Sequence, residues 1–452
     1  MSKRLILVLT FAFVVAFSMA AYAEVQNVKV SGDITVLGID RSQFGLKHKA
    51  GLKTETAAAT ITRVKVDADL TDNVMATVRL LNERYWGTEN ENTGFDSNSV
   101  LDVDLAYVTM KEFLYSPLTL RVGRQELHFG NDMIVGAAGT NNTAPSASPF
   151  SVADPDLTVR KAFDAIRATL NYDPLTIDLI AAKVTERILK NNDDTNLFGV
   201  NANYKLNKTT TAEAYLFMKS NGKKALATGA ASNSKADKIY VPGARLVAKP
   251  TDEFTLQGEA AYQFGTFNTT ANQPVSRRAW AAEAAATYDF TKVKYTPSAT
   301  LLAAYFSGKK DPNNTGITSK HYNGWDPMFE NQKFGDIANA QFSQSNARIA
   351  GGIVTAKLVE DVILKGEYYA FWWDKVYLPG DVVTTARGDT VVMNANKSKR
   401  FAGQEVDLTA TYNYTEDVQF NVLGGMFVPG AAFDKSNRSK ATEVIGSMKV
   451  TF

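Results

Sequence analysis

The sequence predicts an all-β fold, a transmembrane up-and-down antiparallel β-barrel of 18 strands. Three observations carry that expectation. Apolar and polar residues alternate with period two over stretches of about 10 residues, the length of a tilted strand that crosses a membrane. Tight polar turns alternate strictly with long loops rich in Asn, Gly, Ser and Thr. Beyond the first residues, no apolar run approaches the ~20 residues of a spanning helix.

Taken in chain order, MSKRLILVLTFAFVVAFSMAAYA places Lys3 and Arg4 before an apolar run from Leu5 to Phe17, then Ala21 and Ala23 in an A-x-A arrangement. This is the pattern of a cleavable export signal over residues 1–23, leaving 24–452 as a single barrel domain. Without Lys3 and Arg4 the basic and acidic residues balance at 47 each, so total charge announces no strongly charged partner and no nucleic acid. There is no cysteine, which excludes disulfides and thiolate metal sites. Cohesion must come from hydrogen bonding and packing.

The strands follow from their connections. Short turns are expected at 70–73, 115–117, 172–174, 207–209, 250–253, 290–292, 360–361 and 414–417. Longer loops centre near 41–53, 87–99, 128–160, 189–195, 220–237, 267–277, 308–345, 375–400 and 430–440. Eight turns and nine loops join 18 strands, and sorting them by rim is what an outer-membrane barrel does and a soluble sandwich does not. Along the strands, Thr62, Val64, Val66, Ala68 and Leu70 alternate with Arg63, Lys65, Asp67 and Asp69. Leu101, Val103, Leu105 and Tyr107 alternate with Asp102 and Asp104. The apolar set is expected to meet lipid, with Val66 and Leu105 outward, and the ionic set to line a wet lumen, with Thr119 inward. Tyr85, Trp86, Trp280, Tyr288, Trp372, Trp373, Tyr412 and Tyr414 fall near strand ends, where an interfacial girdle of aromatic rings would sit. The final segment, EVIGSMKVTF, also alternates, and pairing it with the first strand near Val28 to Asp40 would remove both sheet edges.

Three segments carry a resemblance: LTLRVGRQELHFGNDMIVG on the fifth strand, HYNGWDPMFENQKFGDI in the loop before the fourteenth, and GQEVDLTATYNYTEDVQFNVLGGMFVPG near the end. Together they resemble the alginate-export family of outer-membrane porins. The resemblance implies 18 strands in the bacterial outer membrane and passive diffusion, with lumen arginines guiding an anionic polysaccharide. Arg121 and Arg124 match its Arg-x-Gly-Arg motif, and Glu405 and Asp407 its later acidic pair. The terminal Phe452 resembles the aromatic ending read by barrel-assembly machinery.

The pore-lining candidates are Arg63, Lys65, Arg79, Asp102, Asp104, Arg121, Arg124, Arg167, Arg245, Glu259, Glu367, Glu405 and Asp407. Basic and acidic side chains on the inward face are equal in number, so ion pairs that stiffen the wall compete with solute contacts as their role. Placing both Arg121 and Arg124 inward requires a bulge at Gly123, because residues three apart on a strand face opposite ways. Loops 128–160 and 308–345 either fold inward as a plug or extend as surface loops. The tip NNDDTN at 191–196 lacks the bidentate acid of a cation loop and is expected to be solvated.

The leading function is a channel for a small anionic or carbohydrate-like solute, with outer-membrane lipid around it and no cofactor. A general diffusion porin is the alternative within transport, and a structural barrel plugged by its loops is another. A surface hydrolase using His128 or His321 is the alternative from a different class, although neither these nor His48 sits in a catalytic motif.

Overall fold

Eighteen strands form one antiparallel sheet that closes on itself. The computed structural model describes residues 26–47, 54–87, 101–142, 155–186, 194–222, 236–268, 274–309 and 321–452. The expected signal, His48 and the start of the NNDDTN tip lie outside those residues.

The strands are β1 Asn27–Ser42, β2 Thr54–Thr71, β3 Val74–Tyr85, β4 Asp102–Met110, β5 Leu118–Gln125 and β6 Phe163–Asn171. Next come β7 Leu175–Thr185, β8 Thr195–Asn207, β9 Thr210–Asn221, β10 Asp237–Ala248, β11 Phe254–Asn268 and β12 Pro274–Asp289. The circuit finishes with β13 Ser298–Phe306, β14 Ala347–Val359, β15 Val362–Trp373, β16 Phe401–Asn413, β17 Val418–Pro429 and β18 Ala441–Thr451. Each pairs with its sequence neighbours, and β18 returns to β1 with Asp33 opposite Thr451 and Ser42 opposite Thr442. Phe452 extends the seam: its amide donates to the Gly32 carbonyl at 3.0 Å and its carbonyl accepts from the Gly32 amide at 2.8 Å. Closure leaves no edge whose amides would face hydrocarbon. The short turns gather at one rim and the long loops at the other, as the alternation of connection lengths predicts.

Outward positions carry apolar side chains with nothing over them, including Val30, Val78, Leu179, Leu301, Val354 and Leu408. In a protein held in water such a belt would be an aggregation surface; around a closed barrel it is the lipid face. No described helix is long and apolar enough to cross a membrane.

Two expected faces need correction. In β4 the pairing with β3 steps from Arg79–Leu105 to Leu80–Val103, which leaves Asp104 as an extra, bulged residue. The bulge breaks the alternation, so Asp104 and Leu105 both turn inward and Tyr107, expected to meet lipid, follows them inward opposite buried Thr77; Leu105 is buried rather than exposed to lipid. In β5 the reverse holds: the ladder to β6 runs without a shift through Arg121–Arg167, Gly123–Ala165 and Arg124–Asp164. Without a bulge, Arg124 faces out. Trp373 also leaves the expected girdle, since it is buried inside against Phe342, Tyr377 and Phe433.

The core of this protein lies inside the barrel. Leu127, Phe129, Met133, Ile134 and Val135 from the β5–β6 loop, with Trp325, Met328 and Phe329 from the β13–β14 loop, pack on inward Phe163, Ile180, Leu197, Phe217, Phe306 and Tyr369. The two loops also bond to each other, with the Phe329 amide donating to the Ile134 carbonyl at 3.0 Å and the Gly136 amide to the Phe329 carbonyl at 2.8 Å.

Val66 stands opposite Val30 and Val78 on the lipid face, while Thr119 is two residues from inward Arg121. Val66→Arg is therefore expected to destabilise the barrel by about 2–4 kcal/mol in lipid vesicles, and Thr119→Arg by far less. Urea-unfolding curves of the two variants in the same vesicles measure the difference, and equal losses would contradict the face assignment.

Candidate functional site

The lumen is shaped by how wall carboxylates meet the two inward loops. Glu213 of β9 accepts the Gly130 amide at 2.9 Å, and Glu259 of β11 accepts the Asn131 amide at 2.7 Å and the Tyr215 hydroxyl at 2.6 Å. Glu283 of β12 accepts the Asn131 side-chain amide at 2.5 Å and the Gln332 side-chain amide at 2.6 Å. On the far side Glu405 of β16 takes the Ile337 and Ala338 amides, each at 2.7 Å, and Asp407 takes the Asp336 amide at 3.3 Å. Those last donors open the short helix α1, Asp336–Gln341, whose unpaired N-terminal amides suit an anion.

Glycine makes both approaches feasible. Gly130 and Gly335 have φ of +63° and +75°, and a Cβ at either would lie within 3 Å of the Glu259 or Glu405 carboxylate. A side chain there would be strained in backbone and would displace the acid it sits on.

The loops therefore act as a plug whose backbone neutralises the acidic part of the wall. Glu259, Glu405 and Asp407 do face inward, but each is almost wholly buried under the plug rather than open to water. Glu83, not singled out from sequence, holds the returning end of the first loop through the Thr158 hydroxyl, the Val159 amide and the Arg160 guanidinium. Arg160 also pairs with Asp102. No signal local to these acids reveals such donors, since the loops come from distant parts of the chain.

The basic candidates lie mainly on β2, β3, β5 and β6. Arg63 pairs with Asp33 at 2.9 Å, Lys65 with Asp67 at 2.8 Å, and Arg79 with Asp104 at 2.6 Å and with Glu126. Arg167 pairs with Asp178 at 2.8 Å, and Arg245 with Glu213 at 3.6 Å while donating to the Asn131 side-chain carbonyl at 2.5 Å. Glu367 is held by Lys365 at 2.6 Å and by the Tyr369 hydroxyl at 3.0 Å. Arg121 differs. It donates to the Thr109 hydroxyl at 3.2 Å and lies 4.7 Å from the Tyr107 ring centroid, and among the described residues no carboxylate pairs with it. It also stands directly opposite Arg167. Of these two inward guanidiniums only Arg167 is paired, with Asp178, which leaves a local excess of positive charge on a half-buried surface. Arg124, outward, pairs instead with Asp164 at 3.3 Å.

The histidines that prompted the hydrolase alternative are otherwise engaged. His128 contacts Asp132 at 2.9 Å within the plug, an interaction that raises its basicity, and His321 lies beside Ser276 in a two-residue parallel bridge to β12. Among the described residues no group of acids and histidines is placed to hold a metal ion.

A closed 18-stranded barrel with a lipid-facing belt, an ionic lumen and inward loops is a channel of the outer-membrane porin class. Its sequence matches the profile described as alginate export over residues 41–447, and the chain belongs to that family. No curated protein sequence matches it. In fold it is similar to OpdK of Pseudomonas aeruginosa, solved with vanillate, at TM-score 0.53 and 10% identity, covering 95% of this chain and 100% of that one. OccK2 (OpdF) of the same organism, solved in complex with glucuronate, gives TM-score 0.56 and 9% identity over 95% and 99%. OccAB1 of Acinetobacter baumannii gives 0.54 and 12% over 96% and 100%. Family and fold place the protein in the bacterial outer membrane.

Two outcomes follow for the plug. Glu405→Ala strands two buried amides, each costing about 1–3 kcal/mol, so the α1 end of the plug should loosen while the sheet persists. More frequent or larger openings in planar-bilayer recordings are expected, with unchanged thermal unfolding of the barrel. Glu330, in the β13–β14 loop, has its carboxyl pushed up to about 7, chiefly by burial, against the opposing pull of the Gln332 and Asn141 amides and of Lys161. The packed loop then holds a proton that the released loop gives up, so the packed state weakens as pH rises from the carboxyl's ordinary 4.5 toward about 7. Opening frequency should increase across that window, and Glu330→Gln should flatten the dependence.

Proposed function

We propose that this barrel is a passive diffusion channel for small anionic solutes, with carboxylated sugars and related carboxylates the leading cargo. The observation that carries this reading is Arg121, an inward guanidinium beside Arg167 that has no acid of its own among the described residues. The acidic candidates on β11 and β16 are occupied by plug amides, so the balance of basic and acidic residues along the sequence is not the balance a passing solute would meet.

Selection in such a lumen works through width and the placement of fixed charge. An anion near Arg121 would gain its attraction without first displacing a protein carboxylate, and the Tyr107 ring beneath the guanidinium keeps it extended. A sugar carboxylate also suits a guanidinium's paired N–H donors. Two fold relatives were solved with vanillate and glucuronate, both of which carry a carboxylate; this is consistent with the same chemistry here.

Arg121→Gln tests the reading. Removing one charge at contact distance in water-filled space is worth roughly 1 kcal/mol, about fivefold in local anion occupancy. In a salt gradient across a planar bilayer, the reversal potential should move toward cation preference, and glucuronate uptake into proteoliposomes should slow. A reversal potential identical to that of the unaltered channel would sink the assignment.

A further inference from the structure

One cluster of charge lies on the outward face of the wall, near the end of β15. Asp374, the residue after β15, is almost wholly buried. Its carboxylate accepts from the Gly308 amide at 3.0 Å and from Arg348 at 2.7 Å, and Lys375 lies 3.5 Å from its other oxygen. Arg400 reaches the same corner, donating to the Trp373 carbonyl at 3.2 Å and to the Asp374 carbonyl. Three cations thus surround one acid. The side chains of Arg348 and Lys375 remain 50% and 42% exposed.

Register fixes where this cluster looks. Ala347 stands opposite Phe306, which is buried in the inner core, so the next residue, Arg348, faces out together with its partners Tyr305 and Trp372. The Arg348 guanidinium lies 5.6 Å from the Tyr305 ring, Tyr305 packs on Trp280 at 4.2 Å, and Trp372 on Phe401 at 5.8 Å. These rings mark the boundary between hydrocarbon and headgroups at the long-loop rim. Leu301 and Val354, exposed lower on the same strands, supply an apolar surface for acyl chains. Arg278, exposed two residues rimward of Trp280 on the same face, adds a fourth cation.

On the β5–β8 stretch of the wall the cations are answered by acids. Arg124 and Lys183 are matched by Asp164, Asp194 and Glu186.

We propose that Arg278, Arg348, Lys375 and Arg400, beside the Trp280–Tyr305 pair, form a docking site for the phosphorylated headgroup of an outer-leaflet glycolipid. Guanidinium forks and a lysine ammonium match phosphate oxygens, the aromatic rings seat the sugar at interfacial depth, and the apolar strand surface below takes the chains. Asp374 holds Arg348 in place and leaves the remaining positive charge for the lipid.

The test compares the full-length barrel with Arg278→Gln/Lys375→Gln, which keeps Arg348 on Asp374 and so spares the fold. Native mass spectrometry of detergent-solubilised protein, titrated with bisphosphorylated glycolipid or its dephosphorylated form, reads binding directly. The unaltered protein should retain the phosphorylated form in preference, and the double variant should lose about tenfold or more of that retention. Arg124→Gln should retain lipid as the unaltered protein does. Equal retention of the dephosphorylated glycolipid, displacement by millimolar inorganic phosphate alone, or undiminished retention by the double variant would each overturn the site.

Discussion

A buried carboxylate needs donors, and that requirement organises the interior of this barrel. Glu213, Glu259, Glu405 and Asp407 point into a space where water is largely excluded, and an unpaired charge there would cost several kcal/mol. Loop amides meet the need at both ends, and the loops in turn gain a fixed place inside the ring. The same contacts explain why a channel wall can carry so many acids without presenting them to a solute. Hydrophobic packing of Phe129, Ile134 and Phe329 against inward wall residues then seals the arrangement.

Much of the fold was legible in the sequence because its signals are local. Turn residues such as Asp173 and Pro174 or Glu360 and Asp361 punctuate alternating runs, and a closed barrel is the arrangement that sorts connections by length. Faces were legible wherever alternation is unbroken. At Asp104 it breaks, and nothing in Leu101–Tyr107 marks the bulge, because the extra residue is dictated by how β3 and β4 meet. At Gly123 the opposite happened: a glycine suggested a bulge, but the ladder passes straight through and sends Arg124 outward.

The site was less legible than the fold. Inward position could be read for Arg63, Lys65, Arg121, Glu405 and Asp407, but the availability of each charge depends on partners brought together by closure and by the inward loops. Glu259 and Glu405 are served by residues 128 and 68 positions away. Arg167 is answered by Asp178 across a hairpin, whereas Arg121 next to it meets no carboxylate among the described residues. Identical residue types on neighbouring strands therefore differ in chemistry for reasons that no short window of sequence contains.

Glu283 gives the interior one further property. Its two oxygens hold different loops, one through Asn131 and the other through Gln332, so this side chain ties to the wall two tethers that are already bonded to each other through Ile134 and Phe329. Neither tether can detach from the molecule, since each runs between adjacent strands, and slack in one is transmitted to the other at this point. Movement of the obstruction is accordingly correlated, passing as a joint swing of both segments rather than as two unrelated flickers.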